Sequence, residues 1–264
     1  MACACLPTTA HAAQLAKLHV TFTPDRLGAA TTVEFTIQIK APADAIPSPL
    51  TALDMSYPGN LGITTSGLGL ATCTETILEY FGAEGCPADS RMGQGSALAE
   101  IPIGPAIERE TAEVAIFRTP ERNGQLSILF YANAPSPISA QAVLPGQLLP
   151  EPDQGHLTIE VPLIASLPGG PNVAIIRLHA TLGPRGLTYY ERIHNKLISY
   201  HPNGILLPDH CPHGGFPFTA SLTFEDQSHT SASTTVPCTI PHRRSGRTSP
   251  VSTRAAGPRV SMPS

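Results

Sequence analysis

The chain has 264 residues, only 14% of them charged, with 22 glycines, 28 prolines and a formal charge of -4. This balance excludes a helical bundle and a coiled coil, and it favours many short strands joined by tight turns. Five arginines and no carboxylate follow Cys238, so the rest of the chain stands at -9, which speaks against nucleic acid as a partner.

Residues 1–14 read as the remnant of a secretory leader. Cys3 and Cys5 lie beside Met1, and Ala10-His11-Ala12 supplies the small residues that precede a signal-peptidase cut. The basic and long apolar parts of a leader are missing before them. The expectation is cleavage after Ala12, a Met1 that is not the original start, and an exported mature chain.

Residues 15–238 are expected to form one β domain. Alternation is clearest in Thr32 to Lys40, where Val33, Phe35, Ile37 and Ile39 share one face and Glu34, Thr36, Gln38 and Lys40 the other. The same period of two runs through Leu18 to Phe22, Leu157 to Val161 and Leu222 to Phe224. Further strands are predicted at 50–57, 96–103, 113–118, 125–131, 138–144, 173–182, 186–193, 197–200 and 229–236. Turns are predicted at Pro58-Gly59, Asn123-Gly124, Pro168-Gly169-Gly170, Asn203-Gly204 and Asp226-Gln227-Ser228. The one helical pattern is Thr74 to Phe81, with Ile77, Leu78 and Phe81 on a shared face and Glu75 near its start. The expected fold is an all-β antiparallel β-sandwich, with a jelly-roll or Ig-like arrangement as the alternatives, and one short helix near residues 74–81. No run is long and apolar enough for a transmembrane helix. Residues 239–264, rich in Arg, Ser and Pro, are expected to be a disordered tail.

Four cysteines of the body allow three connectivities, and sequence-local pairing requires the least rearrangement. It joins Cys73 to Cys86 and Cys211 to Cys238. The competing reading makes these cysteines thiol nucleophiles or metal ligands, with Asp209, His210, Cys211 and His213 as a zinc or copper set. Their spacing matches no familiar zinc pattern, Pro212 works against a helix between the histidines, and Cys211 is taken by the disulfide. No metal, cofactor or catalytic residue is therefore assigned.

Gly-x-Ser-x-Gly is absent, and Gly93-Gln94-Gly95-Ser96 has the wrong order for a nucleophile elbow. Asp54, Asp89, Glu100, Glu191 and Asp209 nominally offer carboxylate pairs for glycoside hydrolysis, with nothing to choose among them. Gly67-Leu68-Gly69 lacks the Lys-Ser/Thr of a phosphate loop. Trp is absent, which weakens a sugar-stacking role. The local concentration of rings and imidazole is Tyr189, Tyr190 and His194, where alternation predicts one tyrosine buried and the other free to bind.

Several pieces resemble a group of uncharacterised secreted, β-rich proteins of high-GC Gram-positive bacteria. They are Phe22 to Gly28, Ile46 to Asp54, Cys86-Pro-Ala-Asp-Ser-Arg-Met-Gly93, Leu167 to Pro171, Leu187 to Tyr190 and Cys211-Pro-His-Gly-Gly-Phe-Pro-Phe218. The resemblance implies an exported, disulfide-bonded β domain and brings no catalytic residues with it. The combined expectation is a non-catalytic binding or structural protein at the cell envelope, secreted, with a cell-wall or extracellular polymer as partner. A jelly-roll carbohydrate-active enzyme and a metal-binding exported protein are the alternatives.

Overall fold

The computed structural model describes residues 14–63, 66–149 and 154–239. The expected leader up to residue 13, including Cys3 and Cys5, and the expected tail from residue 240 lie outside the described residues.

The described chain is mostly antiparallel strand. In order it runs β1 (Leu15–Thr23), β2 (Ala30–Lys40), β3 (Leu50–Pro58), α1 (Glu75–Phe81), β4 (Arg91–Ile103), β5 (Ala106–Arg122), β6 (Gln125–Ala134) and β7 (Ala140–Leu149). It continues through β8 (Gln154–Glu160), β9 (Ala174–Leu182), β10 (Tyr189–Ile193), β11 (Lys196–Tyr200), β12 (Ile205–Leu206), β13 (Phe216–Phe224) and β14 (His229–Val236). One sheet follows the path β1-β2-β9-β4-β5-β6-β7-β8-β3-β13-β14, with β12 added at the start of β2. Its two end strands, β1 and β14, lie side by side. At that seam Gln14 Nε2 donates to Ser228 Oγ at 3.2 Å.

The expected two-sheet sandwich is therefore replaced by a single sheet curled almost shut into a barrel. Alternation names which face of each strand is apolar, but a closed sheet and two facing sheets bury that face equally well. Leu18 pairs with Ile37, Val20 with Phe35 and Phe22 with Val33, so the apolar faces of β1 and β2 turn inward together. Phe22 meets Phe216 edge-on at 5.2 Å, and Phe35 meets Phe218 at 5.8 Å. These rings pack together on the inner side of the seam where β1 meets β14. The outward positions carry Glu34, Thr36 and Gln38, an arrangement opposite to that of a membrane barrel, whose outer band is apolar.

One end of the barrel is covered by loops that bury Leu61, Leu68, Leu187, Ile205 and Leu207 in the main core. The expected helix forms one residue inside its predicted start, with Thr74 as N-cap accepting from the Ile77 N–H. It lies outside the barrel, where Leu78 packs with Ala115, Phe117, Leu129 and Tyr131 in a second cluster. Both expected disulfides are formed, Cys73 to Cys86 beside this helix and Cys211 to Cys238 at the end of β14.

The close approach of β4 to β9 depends on glycine. A Cβ on Gly95 would stand 2.1 Å from the His179 carbonyl oxygen, a contact that only backbone movement relieves. Gly95→Ala is therefore expected to destabilise the fold by about 1–3 kcal/mol through overpacking, read as a lower urea midpoint with an unchanged slope.

Candidate functional site

Inside the barrel, at the end away from the covering loops, the wall is built from alanine. The inward positions are Ala97 and Ala99 of β4, Ala112 of β5, Ala132 and Ala134 of β6, and Ala140 and Ala142 of β7. Alanine faces alanine across the strands: Ala97 pairs with Ala112, Ala132 with Ala142 and Ala134 with Ala140. A methyl group reaches far less deeply into the barrel than the Leu, Ile and Phe side chains of the opposite wall. The space between is a hollow.

The hollow has two lobes that share Ala97, Ala132, Leu144, Val161 and Ile175. The inner lobe, about 140 Å³, reaches Phe35, Leu53, Met55 and Phe130. The outer lobe, about 100 Å³, reaches Ile101, Ile138 and Val173. Along β4 the alanine wall from Ala97 to Ile101 spans four residues, about 13 Å at the usual rise of ~3.3 Å. The shape is thus elongated, and its lining is almost wholly hydrocarbon.

Two features shape the outer end of the hollow. Glu110 is buried at the end of the outer lobe, and its carboxylate accepts from the backbone N–H of Ser136 at 2.6 Å and of Ile138 at 3.4 Å. It thereby holds the connection between β6 and β7. The segment between β8 and β9 folds back as a flap, with Ser166 N–H donating to Pro171 O at 2.9 Å and Val173 N–H to Ile164 O at 2.8 Å. Val161, Pro162 and Ile164 of that flap line the hollow, and Leu163 and Leu167 are exposed on it.

The residues expected to bind from the sequence lie elsewhere. Tyr189 is fully buried: its O–H donates to the Arg91 carbonyl and its oxygen accepts from Gly69 N–H at 2.9 Å. Burial pushes that hydroxyl's pKa up, partly countered by the Gly69 hydrogen bond and assisted by the Asp89 charge and Tyr200. Tyr189 anchors loops and presents no face to a ligand. Tyr190 and His194 are exposed on the β10–β11 hairpin, so the pair of tyrosines divides as alternation predicts.

The nominal catalytic acids are dispersed. Asp54 on β3 accepts from Thr158 Oγ1 at 3.0 Å and lies 3.3 Å from His156 Nδ1. Glu100 on β4 pairs with Arg109 at 2.8 Å. Asp89 lies in a short 3-10 turn, Glu191 on β10 and Asp209 in the loop before Cys211. His210 and His213 are exposed, and Cys211 is bonded to Cys238. Among the described residues, no three His, Cys, Asp or Glu side chains come together as a metal site. No helix of the described residues is long and apolar enough to cross a membrane.

The hollow itself escapes a reading by motif. Its trace in the sequence is the Ala-x-Ala alternation repeated at Ala97-Leu98-Ala99, Ala132-Asn133-Ala134 and Ala140-Gln141-Ala142, in β4, β6 and β7, which β5 joins into one wall. No family model, curated protein or solved structure matches the chain.

Two outcomes follow from this geometry. Glu110→Ala removes the acceptor of two backbone N–H groups and is expected to cost about 1–3 kcal/mol, measured by urea unfolding. Hydrogen exchange should place the loss at residues 136–138. At the covered end, burial pushes the Tyr57 hydroxyl from 10.0 to about 12. The unfolded chain gives up this proton first, so the stability it contributes is present below pH 10.0 and is lost as pH rises towards about 12. Tyr57→Phe should therefore lose less of its thermal midpoint than wild type across that window.

Proposed function

We propose that this protein is an exported, non-catalytic binding protein of the cell envelope that holds an apolar, chain-like ligand in the alanine-walled hollow of its barrel. The observation that carries this reading is the hydrocarbon lining along an elongated space inside the barrel. An apolar cavity of about 150 Å³ takes a benzene ring, and the inner lobe alone is of that size. The second lobe extends it along the strands, which suits a linear chain better than a compact ring. The outward polar faces and the two disulfides support a protein that works in an aqueous, oxidising compartment. No catalytic constellation is needed for this role.

The test fills the hollow. Ala132 sits in both lobes, so Ala132→Phe places a ring where the ligand would lie. A fluorescent acyl chain such as cis-parinaric acid is expected to bind wild type and to bind this variant at least about tenfold more weakly, a change worth ~1.4 kcal/mol. Circular dichroism should show the fold unchanged. Equal binding by both proteins would remove the hollow as the site.

A further inference from the structure

We infer that the β10–β11 hairpin docks the protein on an anionic lipid surface. The hairpin is a two-stranded ribbon outside the barrel sheet, turning through His194 and Asn195, both in the left-handed region with φ of 47° and 62°. Its base is fixed. Tyr189 is buried, Tyr200 meets it edge-on at 5.9 Å, and His201 Nδ1 lies 2.8 Å from the Leu187 carbonyl.

Its outer part is exposed on both faces. Register places Ile193 and Ile198 with Tyr189 on one face and Tyr190 and Leu197 on the other. Their exposures are 40% for Ile193, 44% for Ile198, 51% for Tyr190 and 64% for Leu197. A lone two-stranded hairpin is marginally stable in water, and large apolar side chains on both of its faces find no cover among the described residues.

Charge indicates what covers them. Beyond Glu191 the tip from Arg192 to Leu197 carries Arg192 and Lys196 and no carboxylate, on a body that is acidic as a whole. Neither cation takes part in an ion pair among the described residues. Cations beside exposed Ile, Leu and Tyr match the interface of a bilayer with anionic headgroups, where the alkyl groups enter hydrocarbon and the charges stay at phosphate level. A hydrated anionic polymer would satisfy the cations and leave the apolar groups in water. The hairpin leaves the barrel at the covered end, away from the outer lobe of the hollow. The inference therefore stands apart from the ligand reading.

The chain contains no tryptophan, so Tyr190→Trp introduces a single reporter at the proposed contact. With vesicles of phosphatidylglycerol and phosphatidylcholine, its emission is expected to shift to the blue and the protein to sediment with the lipid. With phosphatidylcholine alone, both effects should be at least about tenfold weaker in lipid concentration, because each cation near an anionic surface adds to binding. Ile193→Ser with Leu197→Ser should abolish sedimentation, and Arg192→Glu with Lys196→Glu should remove the preference for phosphatidylglycerol. Thermal midpoints equal to wild type establish that these exposed changes leave the barrel folded. An unshifted emission with anionic vesicles overturns the inference, as does sedimentation unaffected by the serine pair. A dimer in solution that the serine pair converts to monomer overturns it too, by assigning the hairpin to a second copy. So does capture by soluble polyphosphate that the serine pair leaves intact, since that would assign the tip to a hydrated polyanion.

Discussion

A sheet with one apolar face must hide that face, and among the described residues the sheet does so chiefly against itself, with loops closing one end. The single α-helix among the described residues, Glu75–Phe81, is short and lies on the outer side. Most apolar period-two positions of the long path point inward and are buried by curling until β1 comes to rest beside β14, while Ala115, Phe117, Leu129 and Tyr131 point outward under the helix. Glycine at position 95 permits the tight approach of β4 to β9 within this curled sheet. Strand register, the aromatic contacts at the seam and the covering loops all follow from that closure.

Closure fixes where space is left over. Barrel strands are about equally spaced around the wall, so the volume inside is set by the side chains that point into it. Around Phe22, Phe35, Phe216 and Phe218 the interior is filled by rings. Where β4, β5, β6 and β7 point alanine inward, facing residues are too short to meet. The hollow is thus a consequence of residue size within one regular architecture, with no insertion or separate domain needed to build it. Glu110 and the flap between β8 and β9 then shape the rim.

Most strands were legible from alternation because one face is buried and the other wet. The predicted 229–236 is found as His229–Val236, and the predicted 32–40 as Ala30–Lys40. The β4–β5 ribbon was read short, since Glu108, Arg109, Glu110 and Glu113 mask its alternation even though Glu110 points inward. The Asn123-Gly124 turn was legible because both residues take positive φ, which that pair tolerates. Both disulfides were legible from spacing. Strand order was not, because β9 inserts between β2 and β4, and β3 between β8 and β13, pairings decided by contacts far apart in the chain. For the same reason, the site was hidden: each Ala-x-Ala segment reads as an ordinary strand until its neighbours are known.

The hollow also has an energetic meaning. An empty apolar cavity costs about 24 cal/mol per Å³, so the inner lobe of about 140 Å³ corresponds to about 3 kcal/mol of lost packing. That is a large share of the roughly 5–15 kcal/mol that separates a domain from its unfolded state. Larger apolar residues at the alanine positions recover this packing without disturbing the alternation that closes the barrel. Keeping alanine opposite alanine in three cross-strand pairs is the less stable choice for an empty protein. It becomes the favourable one when a hydrocarbon chain occupies the space, because the ligand then supplies the missing contacts and stabilises the folded state in proportion to its occupancy. Under the proposed function, ligand binding and thermal stability are coupled through the same wall, and a protein recovered with such a ligand should melt higher than the same protein after extraction with organic solvent.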